Sequence, residues 1–135
     1  MAGSLADIRG GLATRLRTIN GLLVSEQIPE QITPPMAVIM LDRVDYHGAF
    51  KGGLTHWQFV VSIFVGRMAE QVAQDRLDAY LSWDGQQTIR QALEADQSLG
   101  GKAQTCTVQA ARAIRPMPVG DAFYLGVEFE VRVYA

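Results

Sequence analysis

The sequence predicts an α+β domain in which helices pack on one face of a mostly antiparallel or mixed sheet of four to five strands. Residues 55–65 and 123–134 alternate apolar and polar side chains with a period of two, as strands with one buried face do. Residues 4–19 and 68–81 instead repeat apolar side chains every three or four positions, which is typical of amphipathic helices. The predicted order of elements is α-β-β-β-α-α-β-β.

The composition predicts one soluble domain over residues 1–135, because 48% hydrophobic residues in a chain of this length can bury one core. The 12 basic and 14 acidic residues are scattered, and the net charge of −2 argues against a nucleic-acid-binding groove. No apolar run reaches the roughly 20 residues of a membrane span, and the N-terminus lacks a signal-peptide pattern. The single cysteine, Cys106, excludes an internal disulfide and fits a reducing cytosol.

The first helix is predicted over residues 4–19. Ser4 and Asp7 have the spacing of a capping box at its start. Gly10 and Gly11 should each cost about 1 kcal/mol relative to alanine, unless a close neighbour needs the space. The apolar stripe of the helix consists of Leu5, Ile8, Leu12, Leu16 and Ile19. A short edge strand at residues 22–24 and a proline-containing loop at residues 26–35 are expected to follow.

A long β-hairpin is predicted next. Its first strand begins as the uninterrupted apolar run 36–41 and turns polar toward His47. The joint at residues 48–53 is rich in glycine and carries Phe50 at its tip, which favours contact with a partner. The second strand, residues 55–65, places on the core face Trp57, Phe59, Val61, Ile63 and Val65.

A second helix is predicted at residues 68–81, with Val72 among its buried side chains. A break at residues 82–84 should follow, with Ser82 as the N-cap of a third helix that ends near Ala95.

Two strands close the predicted fold, at residues 102–114 and 123–134, joined by a turn at 115–121. In the first, Cys106, Val108 and Ala110 are expected on the core face. In the second, Phe123 begins the row that faces the core, and the opposite row is Tyr124, Glu128, Glu130, Arg132 and Tyr134.

The residues with catalytic chemistry do not form a recognisable constellation. His47 and His56 would need further converging ligands, and exposed strand-end histidines are the simpler interpretation. Cys106 could pair with a histidine as a nucleophile, but its apolar alternation favours an inert core cysteine. Glu128 and Glu130 could act as paired carboxylates, although a solvent- or subunit-facing strand is the simpler interpretation. We therefore expect no enzyme activity, no cofactor and no metal.

The predicted core cannot accommodate all the large apolar side chains, and this surplus favours a contact surface. The expected subunit or partner interface consists of Tyr46, His47, Phe50, Lys51, Val60, Phe64, Trp83, Tyr124, Glu128, Glu130, Arg132 and Tyr134.

Several phrases of the sequence point to one family. They are LDRVDYHGAF at residues 41–50, QDRLDAYLS at 74–82, ALEAD followed by LGG within 92–101, and YLGVEF at 124–129. With these segments the chain resembles the tail terminator proteins of long-tailed, siphovirus-type bacteriophages, most closely those of phages of actinobacteria. The resemblance extends over residues 5–134. Trp83 departs from it, at a place where proline is expected to open the helix.

The resemblance implies a structural protein of the virion, made in the host cytoplasm and located at the head–tail junction. A ring of copies, expected to be hexameric, would cap the tail tube, end its polymerisation and join the tail to the head. The implied partners are other copies of the chain, the tail tube protein, the head–tail connector or stopper protein, and the end of the tape measure protein. Genomic DNA would pass through the ring without specific binding, which suits a mildly acidic chain.

Two alternatives stay open at the level of sequence. One is a different neck component, such as a stopper or tail-completion protein. The other is a small α+β enzyme or ligand-binding domain that uses His47, His56 and Glu128.

Overall fold

A computed structural model describes residues 4–27, 29–46, 55–67, 71–83, 85–119 and 121–135. Its elements are α1 (Leu5–Leu16), β1 (Leu23–Ser25), β2 (Met36–Asp45), β3 (His56–Arg67), α2 (Gln71–Leu81), α3 (Ile89–Glu94), β4 (Thr105–Val119) and β5 (Ala122–Tyr134). The α+β class and the order α-β-β-β-α-α-β-β predicted from the sequence are confirmed. The predicted joint at residues 48–53, with Phe50 and Lys51, and the neighbouring His47 lie outside the described residues.

The five described strands form one mixed sheet in the order β1-β2-β3-β5-β4. β1 runs parallel to β2, and every other neighbouring pair is antiparallel. The two central strands, β3 and β5, carry the alternating apolar rows predicted from the sequence. The buried members of these rows are Phe59, Val61, Ile63, Val65, Val127, Phe129, Val131 and Val133.

The three helices cover one face of this sheet and complete a single core. Each helix contributes a stripe of side chains at helical spacing, and burying each large one contributes about 1.5–3 kcal/mol. The buried residues of the helices include Ile8, Leu12 and Leu16 of α1, Ala73, Leu77 and Tyr80 of α2, and Ile89 and Leu93 of α3. The opposite face of the sheet carries no helix in the described part of the chain.

α1 begins with the predicted capping box. The Ser4 hydroxyl oxygen accepts a hydrogen bond from the backbone N–H of Asp7 at 3.2 Å, and the Asp7 carboxylate accepts one from the Ser4 N–H at 3.2 Å. The capping box therefore satisfies two backbone N–H donors that the helix itself leaves unpaired.

The C-terminal end of α1 differs from the prediction. The helix ends at Leu16, three residues earlier than predicted, although Ile19 is still buried in the core.

β4 is longer than the sequence predicts, because residues 115–119 are strand and not turn. Pro116 and Pro118 pair with Leu125 and Phe123 across the β4–β5 hairpin. Proline cannot donate to a ladder, so it is confined to edge strands, and β4 is the edge of this sheet.

Two bulges move side chains of β4 away from their predicted faces. The register shifts between Val108 and Ala110, so Ala110 pairs with Glu130 and leaves the core face on which it was predicted. A second shift lies between Arg112 and Arg115, where Ala113 has a φ of 54°. Each extra residue moves the side chains that follow it to the opposite face of the sheet. A prediction based only on the alternation of apolar and polar residues cannot locate such bulges.

Phe123 is 59% exposed, so the prediction that it heads the core-facing row is wrong. It pairs only with Pro118 at the far end of the hairpin, one residue beyond the last pair between β3 and β5, which joins Arg67 to Tyr124. The helix-covered core does not reach this position.

The predictions for Val72 and Ser82 are also wrong. Val72 is 57% exposed. The buried stripe of α2 is centred on Ala73, Leu77 and Tyr80, and Val72 lies one residue away from this stripe around the helix. The Ser82 hydroxyl donates to the carbonyl of Asp78 at 2.8 Å, so Ser82 belongs to the C-terminal end of α2. α3 instead begins at Ile89, with Thr88 at its N-cap position.

Gly11 lies where α1 touches the turn that follows α3. A Cβ atom added at Gly11 would lie 2.8 Å from the Leu99 Cβ and 3.1 Å from the Leu99 carbonyl oxygen. The turn is held by Asp96, whose carboxylate accepts hydrogen bonds from the Ser98 hydroxyl at 2.6 Å and from the Gly100 N–H at 2.9 Å. These bonds, led by that of Ser98, lower the pKa of the Asp96 carboxyl. Because a Cβ atom at this position would clash with Leu99, Gly11 is needed for the close packing of α1 against this turn.

Gly10 and Gly11 should respond oppositely to alanine. Gly11→Ala is expected to lower the free energy of unfolding by about 1–3 kcal/mol, since the new methyl group overpacks against Leu99. Gly10→Ala should raise it by about 0.5–1 kcal/mol, because the nearest atom to its added Cβ is 3.9 Å away and alanine has the higher helix propensity. Urea denaturation of both variants tests this, and equal signs for the two changes would contradict it.

Candidate functional site

The candidate site is the face of the sheet opposite the helices, which we call the outer face. Directly opposed residues of antiparallel strands point to the same side, so the strand register defines its rows. The outer face consists of Met36, Val38, Met40, Arg43 and Asp45 of β2, His56, Gln58, Val60, Ser62 and Phe64 of β3, Thr105, Thr107, Ala110, Arg112, Arg115, Met117 and Val119 of β4, and Ala122, Tyr124, Gly126, Glu128, Glu130, Arg132 and Tyr134 of β5.

Seven of the twelve predicted interface residues lie together on the outer face. They are Val60, Phe64, Tyr124, Glu128, Glu130, Arg132 and Tyr134. Val60 is only 6% exposed between its cross-strand neighbours Met40 and Glu130, so it offers little surface to a partner. Phe64 and Tyr124 meet edge to face, with ring centroids 6.2 Å apart.

An ion-pair cluster joins β4 to β5 on the outer face. The Nε atom of Arg112 lies 3.4 Å from Oε1 of Glu128, and its Nη1 atom lies 3.9 Å from Oε1 of Glu130. Glu128 and Glu130, which the sequence offered as possible paired catalytic carboxylates, thus share the guanidinium of Arg112 from the neighbouring strand. Arg112 was not among the predicted site residues, because the two bulges of β4 hide its position opposite Glu128 from a sequence pattern.

A polar and aromatic cluster lies at the end of the outer face nearest the β2–β3 loop. Nδ1 of His56 lies 3.3 Å from Oδ2 of Asp45, and Nε of Arg43 donates to Oδ1 of the same carboxylate at 3.1 Å. The His56 ring stacks on Tyr134 with centroids 4.9 Å apart and an interplanar angle of 17°. Nε2 of His56 and Nε of Arg132 are buried without a hydrogen-bond partner among the described residues.

His56 lies at a strand end as predicted, but the prediction that it is exposed is wrong, because its neighbours leave only 13% of the side chain accessible. Within the described residues, no three His, Cys, Asp or Glu side chains converge in the way that a metal ion would require. His47, the other histidine considered for such a site, lies outside the described residues.

Cys106 points into the core, on the face opposite His56. It pairs with Val133, whereas His56 pairs with Tyr134, and successive residues of a strand face opposite sides. The sheet therefore separates the thiol from the imidazole. Burial, assisted by the nearby Glu94 carboxylate, raises the pKa of the Cys106 thiol to about 12. Since the thiolate is the nucleophile, this environment is that of an inert core cysteine.

Tyr46 and Trp83 are the predicted interface residues that lie elsewhere in the described chain. Tyr46 follows β2 and is 70% exposed. Trp83 follows α2, in the helix layer, and is 73% exposed. The guanidinium carbon of Arg90 lies 3.7 Å from the centroid of the Trp83 ring, so a cation–π contact orients this indole at the surface.

A small apolar pocket of about 210 Å³ opens on the outer face beside Phe64. We call it the outer-face pocket. Val38 and Ser62 are buried at its base, although no helix lies over them. The loop before β2 lines it with Ile32, and the end of the β4–β5 hairpin lines it with Val119. Sequence reasoning missed this pocket, because nothing in the pattern of residues 26–35 indicates that they border the sheet.

A wider cavity of about 450 Å³ lies between α1 and the turn at residues 96–102. Both arginines in its lining have partners within the chain. Arg15 donates from Nε to the carbonyl of Ala92 at 3.0 Å, and Arg17 lies 3.8 Å from Glu26. These contacts tie α1 to neighbouring segments.

Neither the protein-family models nor the curated proteins include a match to this chain. Of the helices in the described part of the chain, none has the length and apolar character needed to cross a membrane.

The raised pKa of Cys106 should make stability fall at alkaline pH. The folded state keeps a proton that the unfolded state releases above the ordinary thiol pKa of 9.0, so each further pH unit favours unfolding until about pH 12. The expected loss is about 1.4 kcal/mol per pH unit within this window. Urea denaturation of the wild type and of Cys106→Val from pH 7 to 11 isolates the effect. Equal pH dependence in the two proteins would contradict it.

Proposed function

We propose that this chain is a tail terminator protein of a siphovirus-type phage. In this proposal several copies, six by the resemblance, form a ring on the end of the finished tail tube. The ring stops further addition of tube protein and presents its other side to the connector or stopper protein of the head. The chain acts as a structural component of the virion and carries out no catalysis.

The outer face is the observation that carries this proposal. It spans both central strands without a covering helix in the described part of the chain, and it combines aromatic, aliphatic and charged side chains. Protein interfaces have this mixed composition, with aromatic residues and arginine enriched. A helix-backed sheet with such a free side is suited to docking against another protein surface.

The distribution of exposed residues supports a ring in particular. A cyclic ring of more than two subunits needs a heterologous interface, in which two different patches of each subunit meet. The outer face is one patch, and the helix layer with its exposed Trp83 is a second. Each contact between subunits should bury at least about 1,000 Å² in total.

The states of the chemically reactive residues are also consistent with a structural protein. Cys106 is buried in the core, Glu128 and Glu130 share Arg112, and His56 lies against Asp45 and Tyr134. Each of these groups is either buried in the core or paired with a neighbouring side chain. The net charge of −2 also favours a channel through which DNA slides without adhering.

Ring formation and tube capping test the proposal directly. The purified protein should associate with increasing concentration in light-scattering chromatography, and negative-stain images should show rings with a central opening. Added to polymerising tail tube protein, it should shorten the tubes and lie at one end of each. A monomer at every concentration that leaves the tube length unchanged would overturn the proposal.

Tyr46 offers a test that separates contact from folding. Tyr46→Asp should leave the urea midpoint nearly unchanged, because the side chain is largely exposed, and surface substitutions usually change stability by less than about 0.5 kcal/mol. The introduced charge should weaken capping of tail tubes. Gln74→Asp, at an exposed position of α2, is the matched control and should cap normally. Full capping activity in Tyr46→Asp would remove Tyr46 from the interface.

A further inference from the structure

The outer-face pocket has the size and lining of a site for one protein side chain. Its volume of about 210 Å³ is below the roughly 300–1,000 Å³ of small-molecule sites. The lining is mainly aliphatic and aromatic, with Ile32, Val38, Met40, Phe64 and Val119 around the small Ser62. A large apolar side chain would bury well here, whereas a polar metabolite would find few hydrogen-bond partners.

Trp83 is an exposed side chain with a fixed orientation, which suits insertion into such a pocket. Arg90 stacks on its ring at 3.7 Å and also donates from Nε and Nη2 to the Trp83 carbonyl, at 2.9 Å and 2.6 Å. Arg90 is itself held by Glu94, with Nη1 and Oε1 3.0 Å apart. The indole is thus exposed yet oriented, so burying it in a partner would cost little conformational entropy.

Charge complementarity favours contact between Trp83 and the outer-face pocket. Glu30, an exposed residue, also lines the outer-face pocket, and the Arg90 guanidinium lies against the face of Trp83. An indole entering the pocket would bring this guanidinium toward the Glu30 carboxylate. Among the described residues, the other strongly exposed aromatic side chains, Tyr46 and Phe123, have no such cation stacked on them.

We propose that Trp83 of one copy inserts into the outer-face pocket of the next copy, with Arg90 facing Glu30. The inserted side chain and its pocket lie on different parts of the molecule, the helix layer and the outer face. The contact is therefore heterologous, and repetition closes a ring or extends a filament. This inference rests on the proposed function, because it names the contact by which the ring would assemble.

Mixing two variants tests the contact. Trp83→Ala removes the inserted side chain, and Ser62→Phe fills the pocket from its base. Each variant alone should need about 30-fold higher concentration to associate than the wild type, the effect of losing one aromatic hot spot. A 1:1 mixture at a concentration where each alone is monomeric should form dimers and stop there, because only one intact side chain and one intact pocket remain per pair. Light-scattering chromatography gives these masses.

Three further variants control the experiment. Val72→Ala removes another exposed apolar side chain of the helix layer and should assemble as the wild type does. Glu30→Arg lies at an exposed position and should weaken association by repelling Arg90, so it tests the pocket if Ser62→Phe does not fold. Glu30→Gln removes the charge without repelling Arg90, so it should weaken association less than Glu30→Arg does.

The outcomes separate this contact from the proposed function. Wild-type association that is unchanged in Trp83→Ala and Glu30→Arg would overturn the contact and leave the ring proposal standing. Assemblies larger than dimers in the 1:1 mixture would also overturn the contact. A wild-type protein that stays monomeric at all concentrations and on tail tubes would overturn both.

Discussion

The pairing of β3 with β5 is the constraint on which the rest of the fold depends. Their registered rows, from His56 opposite Tyr134 to Arg67 opposite Tyr124, place a continuous apolar surface on one side of the sheet. That surface is stable only when covered, and the apolar stripes of the three helices cover it. β2 and β4 extend the sheet on either side of this central pair, and β1 completes one edge.

The same pairing leaves the other side of the central strands with a mixed surface. Because side chains alternate, each buried residue such as Val61 or Phe129 has neighbours along the strand that face outward. The outward-facing side chains include ion-paired carboxylates and a histidine stacked on Tyr134. Others line a partly enclosed apolar pocket. The docking proposed for the outer face would therefore not need the larger exposed apolar area that makes an isolated chain aggregate.

The β4 edge of the sheet restricts how another strand could be added to it. β4 is long, but its two bulges, its prolines and the contact of the Glu94 carboxylate with the Val108 N–H, at 2.9 Å, all disfavour the addition of another strand. Association through side chains on the faces is then favoured over edge-to-edge extension. This agrees with a contact in which Trp83, a rigid side chain, enters a pocket and no strand is exchanged.

The sequence by itself determined the elements with strong local signals. The capping box at Ser4, the alternation of β5 from Val127 to Val133 and the α+β order all follow from periodicity and capping chemistry, which act within a few residues. The same alternation predicted the outward face of Glu128, Glu130 and Arg132, and the separate alternation around Cys106 in β4 predicted that the thiol is buried. These features were predictable because each depends only on neighbours along the chain.

Tertiary structure alone decided the features that depend on contacts distant in sequence. The bulges of β4 bring Arg112 opposite Glu128 and remove Ala110 from the core face, and they arise from pairing with β5. Gly11 is required by Leu99, and the outer-face pocket exists because residues 29–32 and Val119 meet beside Phe64. No residue type or spacing encodes such approaches locally. They emerge only when the whole chain has packed, because each depends on two segments that are far apart in sequence.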